Sequence, residues 1–472
     1  MKKTKIICSI GPASSSVEVM KQMVEAGMNV ARINFSHATL EENKQVLETI
    51  KEVRRLTGEN IAILYDTKGP DFRCGIMQEG GINLIPGNLI RIVKENVIGN
   101  EERFTVNCPD AIDKIKEGNI ILLEDALMKL QVISKDSDGI TCVVIDGGIL
   151  NSKKGINVPG IKLDLPFISK QDIEDIKYAC NNDGDFLALS FVESKENILE
   201  ARKILKEFNR EDMQIISKVE SSTALENLED IIEFSDGIMV ARGDLGVEVP
   251  IQKLPMIQKN MIKKCREKEK FVIVATEMLA SMYTNPRPTR AEVSDISNAV
   301  LDGTDAVMLS GESTIGKHPI ESVKYMADIC NETEKYSEYT NEMKLNYSKS
   351  KDITEAIASA VLTSVYSLEV KAIVVPTTGG HSAMVMSNLR PNTIILAICP
   401  NEKIARKLSL SYGVYSKIVE IDDNNMDDVV HHCKKEAKEF LSLKEKDVII
   451  ITGGIHDDPH IKQTNFLKIE EI

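Results

Sequence analysis

No apolar run in this chain approaches the roughly 18 residues that a membrane-spanning helix needs, so no span and no membrane partner is expected. Paired cysteines are missing too. Nine cysteines lie scattered from Cys8 to Cys433 without a Cys-x-x-Cys pair, which argues against a zinc motif or a disulfide framework and for buried, reduced thiols in a cytoplasm. Positive charge is in deficit: at a net -14 the chain has no general surface for nucleic acid, and an anionic substrate has to be met by a local cluster of Lys and Arg. Nor does the basic start, Met1-Lys-Lys-Thr-Lys5, lead into a long apolar stretch. Ile6-Ile7-Cys8 ends at polar Ser9 and reads as a strand rather than a signal peptide. What the chain does have is 42% apolar residues over 472 positions, enough to fill the cores of about three domains.

Short apolar runs ending in polar residues or glycine recur at 5–8, 29–33, 62–65, 186–189, 214–217, 237–240, 272–275 and 306–309. Amphipathic segments of helical period, at 16–25, 40–56, 170–181, 195–208 and 251–268, separate most of them, and this alternation builds a parallel sheet. Eight such units predict a TIM barrel. After Asp66-Thr67-Lys68-Gly69-Pro70 the rhythm breaks. Runs at 89–93, 120–123, 130–134 and 140–145, punctuated by glycine, predict an all-β domain over 70–160 inserted in a barrel loop and closing at 155–160. Emerging at the catalytic face, it is a candidate lid. The barrel is thereby assigned to 1–69 and 161–340. A polar stretch at 336–352 leads into a third unit, 341–472, where helix 353–368, strand 372–376, helix 383–388 and strand 393–398 predict an open doubly wound α/β domain.

Chemistry in a TIM barrel gathers where the strands end. Lys218 and Glu220 share one face of a strand because side chains alternate, and the next apolar strand hands over through Arg242-Gly243 to Asp244. An ammonium and two carboxylates at neighbouring strand ends fit a divalent cation held by Glu220 and Asp244, with Lys218 facing an anionic substrate; alone they fit an ion pair at a domain edge equally well. Further strand ends add weight. Arg32, Asn34, Ser36 and His37 follow one; Asp66, Thr67, Lys68 and Arg73 follow another; Thr276 follows a third. Singly, Arg32 reads as a structural ion-pairing residue, His37 as a capping or packing histidine and Thr276 as an ordinary hydroxyl. On one rim they converge: Arg and Lys match phosphate oxygens, two carboxylates match Mg²⁺, and the joint reading is phosphoryl transfer.

Ala31-Arg-Ile-Asn-Phe-Ser-His37, Tyr65-Asp-Thr-Lys-Gly-Pro70, Ile215-Ile-Ser-Lys-Val-Glu220, the string from Met239 to Glu248, Ala275-Thr-Glu-Met-Leu279, Asn285-Pro-Arg-Pro-Thr-Arg-Ala-Glu-Val-Ser-Asp295 and Asp305-Ala-Val-Met-Leu-Ser-Gly-Glu312 resemble the motifs of the pyruvate kinase family, in order and at the family's spacing. The resemblance runs through almost the whole barrel. It implies transfer of the phosphoryl group of phosphoenolpyruvate to ADP, giving pyruvate and ATP. It further implies Mg²⁺ on Glu220 and Asp244, and a substrate carboxylate seated by the backbone at Ala241, Arg242 and Gly243 with Thr276. Lys218, Arg73 and Arg32 would neutralise the migrating group, and Thr276 would relay a proton through water to the enolate carbon. Lys154 and Arg73 would reach nucleotide phosphates; Asn34, Ser36, Asp66 and Thr67 would hold K⁺; the assembly would be a homotetramer. In the third unit Val375-Pro-Thr-Thr-Gly-Gly-His-Ser382 is similar to the family's effector loop, which implies a phosphorylated effector at Thr377, Thr378, Gly379, Gly380 and Ser382.

Some positions depart from the family pattern. Asp71 stands where Glu is usual, which bears on K⁺ preference; Ser221-Ser222 and Glu277 alter the surroundings of the site; Glu124-Asp125-Ala126 replaces Asp-Asp-Gly in the lid. Asp457 and Asp458 bring charge to a tail that is glycine-rich in relatives regulated by sugar bisphosphates. At about 4 Å two like charges near a surface repel by a few kcal/mol, so a monophosphate is the expected effector. Two other activities use related parts. A Mg²⁺-dependent pyruvate-forming carbon–carbon lyase needs the carboxylate pair but not the lid, Arg32 or Arg73, and a Schiff-base aldolase needs a neutral Lys218, which Glu220 opposes. A catalytically inactive sugar-phosphate sensor has no use for Lys218, Glu220, Asp244 and Thr276 together.

Overall fold

Eight parallel strands close into a barrel in chain order: Lys5–Ser9, Val30–Asn34, Ala62–Asp66, Phe186–Leu189, Gln214–Val219, Gly237–Ala241, Phe271–Ala275 and Ala306–Leu309. The structure is a computed structural model that describes every residue except 37, 38, 71, 125, 162, 164, 337–351, 421–425 and 455–462. The expectations placed on His37, Asp71, Asp125, Asp457 and Asp458, and on the boundary at 340/341, therefore lie outside the described residues. Parallel strands covered on both faces read as unbroken apolar runs, which is why all eight begin and end within two residues of the positions expected.

Alternation then sorts each strand. Ile7, Val30, Leu64, Ala188, Ile216, Met239, Ile273 and Met308 fill the barrel interior, whereas Ile6, Ala31, Ile63, Leu187, Ile215, Val240, Val272 and Val307 pack outward against the helices. Two residues further along, at the C-terminal mouth, six of these eight inward rows reach Ser9, Arg32, Asp66, Ser190, Lys218 and Ser310, and the other two reach Ala241 and Ala275. The polar mouth is thus the continuation of the apolar interior.

Two local differences from the sequence reading matter. The expected helix at 251–268 splits, because Pro255 fits only the first turn of a helix; a 3-10 turn, Ile251–Lys253, precedes the helix Leu254–Glu267. The handover after the sixth strand is itself helical, Arg242–Glu248, so Asp244 lies in a first helical turn.

A six-stranded sheet runs Ile156–Asn157, Ile120–Leu123, Met128–Lys135, Gly139–Asp146, Leu89–Val93 and Arg103–Thr105, with a two-stranded flap, Gly148–Leu150 on Ile82–Leu84. Its core, including Ile90, Phe104, Leu130 and Cys142, is a cluster separate from that of the barrel. The third unit orders its strands Val414–Ile418, Ile394–Cys399, Val370–Pro376, Val448–Gly453, Phe466–Glu471, the last antiparallel. It docks on the N-terminal end of the barrel. Leu410 joins the interior cluster, Lys5 donates to the Val414 carbonyl and lies 4.3 Å from the Tyr415 ring centroid, and Arg390 pairs with Asp305 at 2.6 Å.

Candidate active site

The fifth strand presents Lys218 inward and then Glu220, and both side chains are held. Lys218 Nζ lies 3.0 Å from Glu220 Oε1, 3.3 Å from Asp66 Oδ1 and 2.7 Å from Ser190 Oγ. Asp66, with no exposed surface, accepts Arg32 Nε and Nη2 at 2.7 Å each, and Arg32 Nη1 donates to Ser9 Oγ at 2.6 Å. Three barrel strands thereby meet in one chain of charge: Arg32, Asp66, Lys218, Glu220. Burial alone would raise the Asp66 carboxyl, but Lys218 and Arg32 outweigh it and hold the group below the usual carboxylate range. Burial likewise pushes the Lys218 ammonium down, and Asp66 with Glu220 outweighs that, so the lysine stays charged.

Glu220 is different. Burial drives its carboxyl up to about 7; Lys218 opposes the shift, Asp244 reinforces it, and the Phe191 N–H, donating to Oε2 at 2.6 Å, opposes it again. Lys218 is ringed by carboxylates, whereas Glu220 faces one cation, one like charge and almost no water. Asp244 lines the same cleft of about 1760 Å³. Among the described residues no group of three or more His, Cys, Asp or Glu forms a metal cluster, so a cation here would have the two carboxylates of Glu220 and Asp244 and draw its remaining oxygens from substrate and water. A buried carboxylate with its charge only partly compensated, beside a second one, fits a divalent ion of that kind.

Thr276 follows the seventh strand at φ +67, a backbone conformation costly for a β-branched residue. Its hydroxyl donates to the Ala275 carbonyl at 2.6 Å and accepts the Gly243 N–H at 2.8 Å. Arg242 turns its guanidinium onto the Thr276 carbonyl (2.6 Å) and Asp295 (2.6 Å), leaving the backbone of that turn, not the side chain, at the mouth. Asn34 and Asp66 are cross-strand partners, and Asn34 Oδ1 accepts the Ser36 N–H at 3.0 Å; Thr67 Oγ1 accepts the Ser190 N–H at 3.2 Å. The four oxygen-bearing residues Asn34, Ser36, Asp66 and Thr67 thus occupy one corner.

The lid closes over this rim. Pro70, Phe72, Arg73, Glu124 and Lys154 line the cleft together with Arg32, Lys218, Glu220 and Thr276. Arg73 donates to the Lys153 carbonyl at 2.9 Å, and Lys154 pairs with Glu124 at 2.5 Å. In the third unit Thr377 Oγ1 accepts the Gly380 N–H at 2.9 Å; Gly380, at φ +87, opens the helix His381–Asn388, and Ser382 Oγ accepts the Thr464 hydroxyl at 2.9 Å. Gly379 has open space where a Cβ would lie.

Ser190 and Phe191 were not among the residues picked out from the sequence. Ser190 joins Lys218 to the third-strand end, and Phe191, at φ +54, aims its N–H at Glu220. The one available signal was position: Ser190 ends a strand of the predicted barrel, as Lys218 and Asp66 do.

Cations set against carboxylates at the mouth of a parallel barrel, under a β lid, define a metal-assisted phosphotransferase of the TIM-barrel class. Comparison with known proteins narrows the class. The model of the pyruvate kinase barrel domain matches residues 1–323, and that of the pyruvate kinase alpha/beta domain matches residues 355–470. A pyruvate kinase of Bacillus licheniformis is 42% identical over 475 residues, covering 99% of this chain and 80% of that protein. One of Geobacillus stearothermophilus is 42% identical over 474 residues, covering 100% and 80%. A crystal structure of a pyruvate kinase from Cryptosporidium parvum superposes with a TM-score of 0.93 at 34% identity, covering 100% of this chain and 96% of that one. The chain belongs to the pyruvate kinase family. Members of that family require a divalent metal and a monovalent cation. No described helix is long and apolar enough to cross a membrane.

Proposed function

We propose that this chain transfers the phosphoryl group of phosphoenolpyruvate to ADP, the observation that carries the reading being the Arg32–Asp66–Lys218–Glu220 chain of charge in a barrel of this family. The bond between phosphorus and the enol oxygen breaks, a bond from phosphorus to a terminal β-phosphate oxygen of ADP forms, and the enolate carbon takes a proton to give pyruvate. Lys218, kept charged by Asp66 and Glu220, faces the migrating group and then the enolate oxygen; Arg32 and Arg73 balance the phosphoryl charge from two sides. The Ala241–Gly243 backbone and Thr276 seat the substrate carboxylate, and the Thr276 hydroxyl passes a proton through water. Lys154 leaves Glu124 to meet the nucleotide phosphates. Mg²⁺, held by Glu220 and Asp244, would supply charge neutralisation between substrate oxygens. A coupled assay for pyruvate from phosphoenolpyruvate, with and without ADP and Mg²⁺, tests the reading. Pyruvate formed without ADP, or none with it, overturns the assignment; neither the carbon–carbon lyase nor the inactive sensor is favoured by the family membership.

The same reading carries finer proposals: barrel 1–69 and 161–340, lid 70–160 and regulatory unit 341–472; a homotetramer; a cytoplasmic enzyme. K⁺ is proposed at Asn34, Ser36, Asp66 and Thr67, supported by their common corner. Rates are expected to be higher in K⁺ than in Na⁺, weakened but not abolished by Asp71; equal rates in K⁺, Na⁺ and a bulky organic cation would show that corner to be idle.

A phosphorylated effector is proposed at Thr377, Thr378, Gly379, Gly380 and Ser382. The loop follows the strand beside which the order of the third unit's sheet reverses, where open α/β sheets bind ligands, and Thr464 ties it to the loop from the neighbouring strand. A sugar or nucleoside monophosphate is expected to activate better than fructose 1,6-bisphosphate, given the acidic Asp457 and Asp458 in the tail. Phosphoenolpyruvate saturation curves with each effector decide it; a stronger response to the bisphosphate overturns the expectation.

A further inference from the structure

The chain crosses between barrel and lid twice, leaving after Asp66 and returning ahead of the helix Lys170–Asn181. One carboxylate holds both crossings. Asp172, only 2% exposed, accepts the Gly69 N–H through Oδ1 at 3.1 Å, and through Oδ2 the Ser169 N–H at 2.9 Å and the Ser169 hydroxyl at 2.6 Å. Its contacts with Ser169 form a capping box, completed when the Ser169 hydroxyl takes the Asp172 N–H at 3.1 Å. The contact with Gly69 has no part in capping, since it reaches 103 positions back along the chain.

Gly69 sits at φ +70, and a Cβ there would lie 2.8 Å from Ser190 Cβ, so this crossing is pressed directly onto Ser190. Ser190 in turn grips the same crossing through its hydroxyl on the Thr67 carbonyl, at 2.8 Å, and receives Lys218 Nζ at 2.7 Å. The contacts run without a gap from Asp172 to Gly69, Ser190 and the Lys218 ammonium. Three donors stand in for water around this deeply buried side chain.

We infer that Asp172 is a positioning residue for phosphoryl transfer: by pinning Gly69 it fixes the seat of Ser190 and hence of Lys218, and by pinning Ser169 with the same carboxylate it fixes the pivot of the lid. The inference rests on the proposed reaction. A misplacement of about 1 Å at a reacting group costs up to about a hundredfold in rate, so loosening the crossing is read in kcat.

The test compares wild type with Ser169→Ala, Asp172→Ala and Asp172→Asn by steady-state kinetics, thermal unfolding and hydrogen exchange at the Gly69 amide. Ser169→Ala removes the cap and one of the three donors to Asp172 but leaves the Gly69 and Ser169 N–H contacts, and it is expected to keep kcat within about twofold while lowering Tm. Asp172→Ala is expected to lower Tm similarly and, in addition, to lower kcat at least about tenfold with faster exchange at Gly69. Asp172→Asn keeps an acceptor oxygen and should fall between them; it carries the test if Asp172→Ala does not fold. Equal kcat and equal Gly69 exchange in the Asp172 and Ser169 variants would reduce Asp172 to a helix cap and overturn the inference. Inactive wild-type protein would instead sink the proposed reaction, and the exchange comparison would still decide whether Asp172 holds the crossing.

Discussion

Lys218→Met is expected to lower kcat at least about a hundredfold while leaving the half-saturating phosphoenolpyruvate and divalent-ion concentrations within a few-fold of wild type. Removing one preorganised charge from a water-poor site costs about 3–4 kcal/mol in the transition state, and Lys218 is such a charge, buried and held by three partners. Ground-state binding is spared because Arg32 keeps its own partner in Asp66, so the phosphate still meets a guanidinium fixed in place. Methionine matches the length of the lysine stem, which leaves the packing of the inward row largely unchanged. Steady-state kinetics over both substrates and the metal separate the two effects; a variant with near wild-type kcat would remove Lys218 from the chemistry, and a rise confined to KM would make it a binding residue.

The barrel was legible because a strand buried on both faces has to be apolar along its whole length, and because Lys218, Asp66 and Thr276 interrupt that pattern at matching places. Pairings across the mouth were not legible. Arg32 and Asp66 meet because the second and third strands run in parallel register, with Arg32 opposite Leu64, and nothing in either motif announces the contact. Ser190 illustrates the limit: a serine at a strand end is common, and its value arises only when barrel closure brings it within reach of Lys218, 28 residues later. Arg242 is a second case. The resemblance implies a role for its backbone, but nothing in the motif tells that its guanidinium is held by the Thr276 carbonyl and Asp295. Hydrogen-bond donors of this kind are assigned by the three-dimensional neighbourhood, which a periodicity argument does not reach.

Loss of either carboxylate of the pair should act on the metal before it acts on the substrate. Changes to groups that merely orient metal ligands lower affinity by about ten- to a hundredfold, so removing a ligand from a site with only two protein carboxylates is expected to raise the half-saturating Mg²⁺ at least about tenfold in Asp244→Ala and in Glu220→Gln. Glutamine is the better replacement at 220, because its oxygen can still accept the Phe191 N–H and keep the fourth-strand turn in place. The two variants should part in their pH dependence. In the metal-free protein the Glu220 carboxyl stands at about 7, so below that pH an incoming ion has to displace a proton, and apparent Mg²⁺ affinity falls as the solution becomes more acid. Glu220→Gln has no proton to displace there and should flatten that slope. Asp244→Ala keeps Glu220 and retains the slope, displaced to lower pH because the like charge that helped raise Glu220 is gone. Mg²⁺ titrations of wild type and both variants at pH values on either side of 7 separate these outcomes. A midpoint unchanged in both variants would refute the metal assignment; a slope that survives in Glu220→Gln would move the titrating group to another residue.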